Sequence, residues 1–98
     1  MKNNKMKQLQ KLLASIPRGK ITSYKIVAKK LKMHPRAVGV LLHQNPYPNK
    51  YPCYKVVGHC GRIGGYAKGE REKIRRLRKD GIEIHNSRIE MEKYCYHF

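Results

Sequence analysis

The chain has 98 residues, 40% of them hydrophobic, enough for one modest core and hardly for a second. Lysine and arginine number 23 against 6 acidic residues, a formal charge of +17 that points to a polyanionic partner, nucleic acid first and a membrane surface second. No run approaches the roughly 18 apolar residues of a membrane helix and MKNNKMKQLQ lacks the apolar core of a signal peptide, so a cytosolic or nuclear protein is expected.

The basic residues are scattered through both halves, with 71–79 (REKIRRLRK) the densest run, which suits a charged face on one folded body spanning 1–98. A plain solubility role for the charge is the alternative. Cys53, Cys60 and Cys95 cannot all pair and show no CxxC spacing, so reduced thiols are expected. His34, His43, His59, His85 and His97 are dispersed, and His59 and Cys60 with Cys95 and His97 lack zinc-finger spacing. No P-loop, dinucleotide fingerprint or paired-carboxylate site is visible, so neither metal nor cofactor is expected.

In chain order, Met6, Leu9, Leu12 and Leu13 recur at helical spacing, and the Ile16-Pro17 step predicts that this first helix stops near Ser15. After the turn Pro17-Arg18-Gly19, Thr22 or Ser23 can cap a second helix of about ten residues carrying Ile26, Val27, Ala28 and Leu31. His34-Pro35 breaks the pattern, and Pro35 suits the first turn of a third helix through Ala37, Val38, Val40, Leu41 and Leu42. Two short helices across a tight turn make a helix-turn-helix, which sets its second helix against DNA with Arg36 near the duplex.

Three prolines within 45–52 predict an extended, stiff loop that delivers Cys53 in a fixed position. Residues 53–57 read as a short helical turn or a strand, and Gly58, Gly61, Gly64 and Gly65 follow in a loop that permits close approach. A basic helix from Glu70 to Lys79 is expected to turn Ile74 and Leu77 inward and to end at Gly81. Alternation in 82–85 and 88–91 around Asn86-Ser87 predicts a terminal hairpin, with 82–98 as a C-terminal hairpin or tail. The fold class is therefore mainly α with small β, a winged helix-turn-helix in a single compact domain.

Five ordered segments carry a resemblance: 16–24 (IPRGKITSY), 36–39 (RAVG), Asn45-Pro46, 52–58 (PCYKVVG) and 61–66 (GRIGGY). Together they resemble the DNA-binding and active-site domain of the O6-alkylguanine-DNA alkyltransferases, over roughly Leu9 to Gly81. The resemblance implies a protein that flips a damaged guanine from double-stranded DNA and moves its alkyl group irreversibly onto Cys53, acting as a monomer. A thiolate is the nucleophile such a displacement at carbon needs. The 98 residues leave no room for the N-terminal domain of the full-length enzymes.

The same resemblance assigns Asn45 to the hinge beside the nucleophile, Tyr24 to a phosphate contact, and Arg36 to the gap left by the flipped base. Ser23, Ala37 and Lys55 are placed at the DNA. Val56, Gly64, Gly65, Tyr66 and Ala67 would form the base pocket, where Val56 and Tyr66 can equally be plain core. In the family a histidine after the nucleophile passes its proton through water to a glutamate; here Tyr54 and Asp80 stand at those positions. A phenol with an ordinary pKa near 10 is a poor base at neutral pH, which leaves Lys55 or other cations to favour the thiolate. The lost histidine and the ending 80–94 also resemble the alkyltransferase-like proteins, which bind such lesions without repairing them, although those lack the cysteine. A helix-turn-helix regulator is the third reading.

Overall fold

The computed structural model describes residues 4–47, 50–64, 66 and 69–98. Helix α1, Asn4–Ser15, lays Leu9 and Leu13 into the core and ends where Ile16 turns into Pro17. Strand β1, Thr22–Ser23, leads directly into α2, Tyr24–Leu31. Ser23 is the N-cap of α2: its hydroxyl accepts from the Ile26 amide at 3.1 Å, leaving Thr22 to the strand. The helix has eight residues and closes on Lys32, held in the left-handed region at φ 56°.

Helix α3, Pro35–Gln44, begins with its proline where no amide is needed, and the Nδ1 of His34 accepts from the Arg36 amide at 3.1 Å. Val27, Ala28 and Leu31 of α2 pack with Val38 and Leu42 of α3 and the α1 leucines into one apolar cluster. This α2–turn–α3 unit is the expected helix-turn-helix.

The chain then reaches a 3-10 turn, Cys53–Lys55, and β2, Val56–Val57, which pairs in parallel with β1 in the register Thr22 to Val56 and Ser23 to Val57. Both readings of 53–57 thus hold, each for part of the segment. Gly61 follows at φ +91°, so close to the C-terminal segment that a Cβ would lie 2.0 Å from the Ile89 carbonyl oxygen. Only glycine fits there.

Helix α4, Glu70–Lys79, ends in a Schellman motif: the Ile82 amide reaches the Leu77 carbonyl at 3.1 Å and the Gly81 amide that of Arg78 at 2.9 Å. Gly81 supplies the required positive φ of +88°. The inward face differs from expectation, because Leu77 and Lys73 are fully buried while Ile74 is only half-buried. A second cluster of Ile21, Val57, Ile63, Leu77, Ile82, Ile89 and Tyr94 fills this half.

The terminal hairpin is reduced to its tip. His85 and Arg88 exchange two backbone hydrogen bonds of 3.0 Å around Asn86 and Ser87, both at positive φ as a type I′ turn demands. The second arm leaves its partner: the Ile89 amide donates to Gly61, Arg62 pairs with Arg88, and Met91–Tyr94 wind into a helical turn, α5. The last residues run beside Ile21, which bonds to Tyr94 and Tyr96 on either side.

Candidate active site

The 3-10 turn places Cys53 in the first cluster, 8% exposed. Asn45, at the end of α3, ties down the approach. Its amide donates to the Tyr51 carbonyl at 2.9 Å and its side-chain oxygen accepts from the Tyr47 amide at 3.2 Å. A pocket of about 350 Å³ opens beside Cys53, walled by Tyr24 and Tyr66 and by Arg36, Gly39, Leu42 and His43 of α3. That volume suits one small planar ligand, since ligand sites span roughly 300–1,000 Å³.

Burial pushes the Cys53 thiol up; a hydrogen bond with Asn45 and the charges of Lys73 and Arg76 pull the other way without overcoming it. Tyr24 and Tyr66 are both raised, first by burial and then by Cys53. The Tyr66 hydroxyl is buried without an aligned hydrogen-bond partner among the described residues, an arrangement a ligand's acceptor atom would relieve.

Lys73 of α4 is the residue that the sequence reading missed. Its side chain is fully buried, its Nζ donates to the Val56 carbonyl at 2.8 Å, and the same Nζ lies 5.8 Å from the centre of the Tyr24 ring. Burial pushes its pKa down to about 8, against the opposing pull of Cys53 and Glu70. The spacing from Leu77 offered a signal, since a residue four positions earlier shares its helix face. Arg76 packs nearby, 6.0 Å from the Tyr54 ring and 5.9 Å from that of Tyr66, with its Nε on Glu72 at 2.8 Å.

Tyr54 and Asp80 do meet, but on the other side of the 3-10 turn. The phenol donates to Asp80 Oδ2 at 3.0 Å, and burial followed by that bond raises its pKa. Neither residue lines the Cys53 pocket. Lys55, expected at the DNA, is instead buried: its Nζ donates to Pro17 at 3.1 Å and lies 3.4 Å from Asp80 Oδ2. Parallel pairing of β2 with β1 turns it toward the end of α1, which corrects that expectation and removes it as the cation near the thiol. Ser23, also expected at the DNA, is buried and spends its hydroxyl on the α2 cap.

Of the remaining candidates, Val56 is core with no exposed surface, and Ala37 is half-buried on α3 outside the pocket wall. Gly64 lies beside Tyr24 and Lys73: a Cβ there would be 3.4 Å from the Tyr24 hydroxyl and 3.6 Å from the Lys73 Nζ. Gly65 and Ala67 lie outside the described residues. The structure thus brings together Cys53, Asn45, Tyr24, Arg36 and Tyr66, and separates them from the Tyr54–Asp80–Lys55 group.

A helix-turn-helix whose second helix walls a pocket beside a buried thiol defines a class, a DNA-binding domain that carries a pocketed cysteine. The chain belongs to the 6-O-methylguanine DNA methyltransferase family, whose DNA-binding-domain profile matches residues 4–82. It is 46% identical over 90 residues to a bifunctional methyltransferase/endonuclease of Picrophilus torridus, covering 90% of this chain and 30% of that protein. The crystal structure of the O6-methylguanine-DNA methyltransferase of Pyrococcus kodakaraensis superposes with a TM-score of 0.73 at 40% identity, over 79% of this chain and 46% of that one. The chain therefore spans less than half the length of either relative. S. pombe Atl1, in complex with damaged DNA containing O6-carboxymethylguanine, matches 98% of this chain and 97% of its own with a TM-score of 0.84. At 21% identity that likeness is one of fold alone.

Proposed function

We propose that this chain binds duplex DNA through α3, takes an O6-alkylguanine into the pocket beside Cys53, and transfers the alkyl group to that sulfur. The observation that carries the reading is the position of Cys53 in a pocket whose opposite wall is the helix-turn-helix, with Arg36 at the start of α3. A duplex lying on α3 puts an extruded base within reach of the thiol, and Arg36 is placed to fill the vacated stack. The net charge of +17 supplies long-range attraction to phosphates.

In the reaction the S–C bond forms as the C–O6 bond breaks, the electron pair stays on O6, and the proton lost by the thiol ends on the guanine. Tyr66 offers its hydroxyl to the developing charge on O6. Cys53 ends as a thioether, so one molecule serves one lesion. Incubation with a duplex containing O6-methylguanine is expected to add one methyl group to the intact mass of the chain, mapped to Cys53, and Cys53→Ala abolishes it. Methyl on Cys60 or Cys95 overturns the site.

A second reading is favoured by one observation: Tyr54 holds the place of the family's proton-accepting histidine and points its hydroxyl at Asp80, away from the pocket. On that reading the chain binds the lesion and leaves it intact. Lesion-selective binding with unchanged mass decides for it.

A further inference from the structure

All six acidic residues lie in 70–92, whereas 1–69 holds fifteen lysines and arginines and no carboxylate side chain. Part of that charge is gathered in one place. A groove of about 400 Å³ runs between α1 and the end of α2, lined by Leu12 and Leu31 and by four lysines: Lys5 and Lys11 of α1, Lys30 of α2, and Lys32 at its cap. The four lysines are exposed, and among the described residues none has a carboxylate partner.

The fold accounts for two of them. The Lys5 Nζ donates to the Leu31 carbonyl, and Lys30 stands in the last turn of α2, where a cation favours the helix dipole. Lys11 and Lys32 have no such task. Lys32 closes α2 in the left-handed conformation, at φ 56° and ψ 51°, a position where glycine is the usual residue and a Cβ is strained. A long cationic side chain held there against strain, beside three like charges, points to an anion as the occupant of the groove.

We propose that this groove is a second DNA contact, holding backbone phosphates of the duplex that lies on α3. In a helix-turn-helix the first helix crosses the phosphate backbone while the second enters the base groove. Here the first helix is α2, and Lys32 opens the turn that leads to Pro35, the first residue of α3. Packed beside α2, α1 extends that crossing with Lys5 and Lys11. The contact reads neither sequence nor damage; it fixes how the duplex lies on α3, and so where an extruded base meets the Cys53 pocket. The inference rests on the reading of the chain as a DNA binder, and not on methyl transfer.

The test is fluorescence anisotropy of an undamaged duplex titrated with the full chain at several salt concentrations. Each phosphate contact contributes about 0.9 to the slope of log affinity against log salt, so the double variant Lys11→Gln, Lys32→Gly is expected to flatten the slope by about 1.8. Lys93→Gln removes a charge on α5, away from the groove, and is expected to keep the wild-type slope, which separates contact from net charge. Lys32→Gly alone is expected to weaken binding while raising the melting temperature, because glycine relieves the left-handed backbone; a lysine that served only the fold would not split the two. A folded double variant with the wild-type slope overturns the proposal. So does an unchanged DNA slope with lost binding to polyglutamate, which gives the groove to an acidic protein segment. A wild type that fails to bind duplex rejects the DNA reading together with the groove, whereas a wild type that binds with a slope the double variant leaves unmoved rejects the groove alone.

Discussion

The two sides of the 3-10 turn at Cys53–Lys55 hold similar groups and use them differently. Behind it, Tyr54 and Lys55 share Asp80, and the lysine meets two further carbonyl oxygens, of Ile16 and Pro17. In front of it, Cys53 faces a pocket walled by Tyr24 and Tyr66 with no carboxylate among its described wall residues, and the Lys73 Nζ lies 5.8 Å from the centre of the Tyr24 ring. A buried ammonium with a carboxylate and carbonyls has a settled charge, and it serves the fold. The Lys73 ammonium is buried against the Val56 carbonyl and the Tyr24 ring, and burial pushes its pKa down to about 8. Tyr54 and Asp80, at the positions of the family's relay, lie on the settled side, away from the Cys53 pocket.

The largest effect should come from breaking the settled side. Asp80→Ala leaves the Lys55 ammonium buried without its counter-charge and the Tyr54 hydroxyl without its acceptor, a loss of about 3 kcal/mol in denaturant unfolding. Tyr54→Phe removes one hydrogen bond and is expected to cost about 1 kcal/mol. A loss as large as that of Asp80→Ala would mean that the phenol, not the lysine, anchors the carboxylate.

The smallest stability effect, and the one of opposite sign, belongs to Lys73→Met. Its folded pKa of about 8 lies below the unfolded value of 10.5, so between these the unfolded chain binds more protons and stability rises with pH. Below pH 8 the burial cost is fully present. The melting temperature of Lys73→Met is therefore expected to equal or exceed that of the wild type at pH 7, with the margin shrinking toward pH 10. A marked fall at pH 7 would make Lys73 a structural lysine like Lys55.

Much of the front half was legible because its signals are local. Leucine spacing, the Ile16-Pro17 stop, Pro35 at a helix start and the Asn45–Pro52 prolines each act through backbone geometry within a few residues. The pocket members Cys53, Tyr24, Arg36 and Tyr66 were legible through resemblance. The rest depends on contacts between distant segments. Lys55 reads as a surface cation until β2 pairs with β1 and turns it toward Pro17. Lys73 reads as one charge in a basic run until α4 docks and buries it. The terminal hairpin failed for the same reason, since Gly61 captures the Ile89 amide and the strand gives way to α5. His34 as a helix cap was not anticipated either, because its ring nitrogen does the work usually done by a serine or aspartate oxygen.

The proposed transfer on the thiol side of the turn is tested most directly by single-turnover methyl transfer from an O6-methylguanine duplex at pH 7.5, comparing wild type, Tyr54→Phe and Cys53→Ala. The account predicts a Tyr54→Phe rate within about twofold of wild type, a change of about 0.4 kcal/mol or less, and no transfer by Cys53→Ala. A fall of about tenfold or more in Tyr54→Phe, or transfer retained in Cys53→Ala, would contradict it, the first by returning the proton to the Tyr54–Asp80 pair.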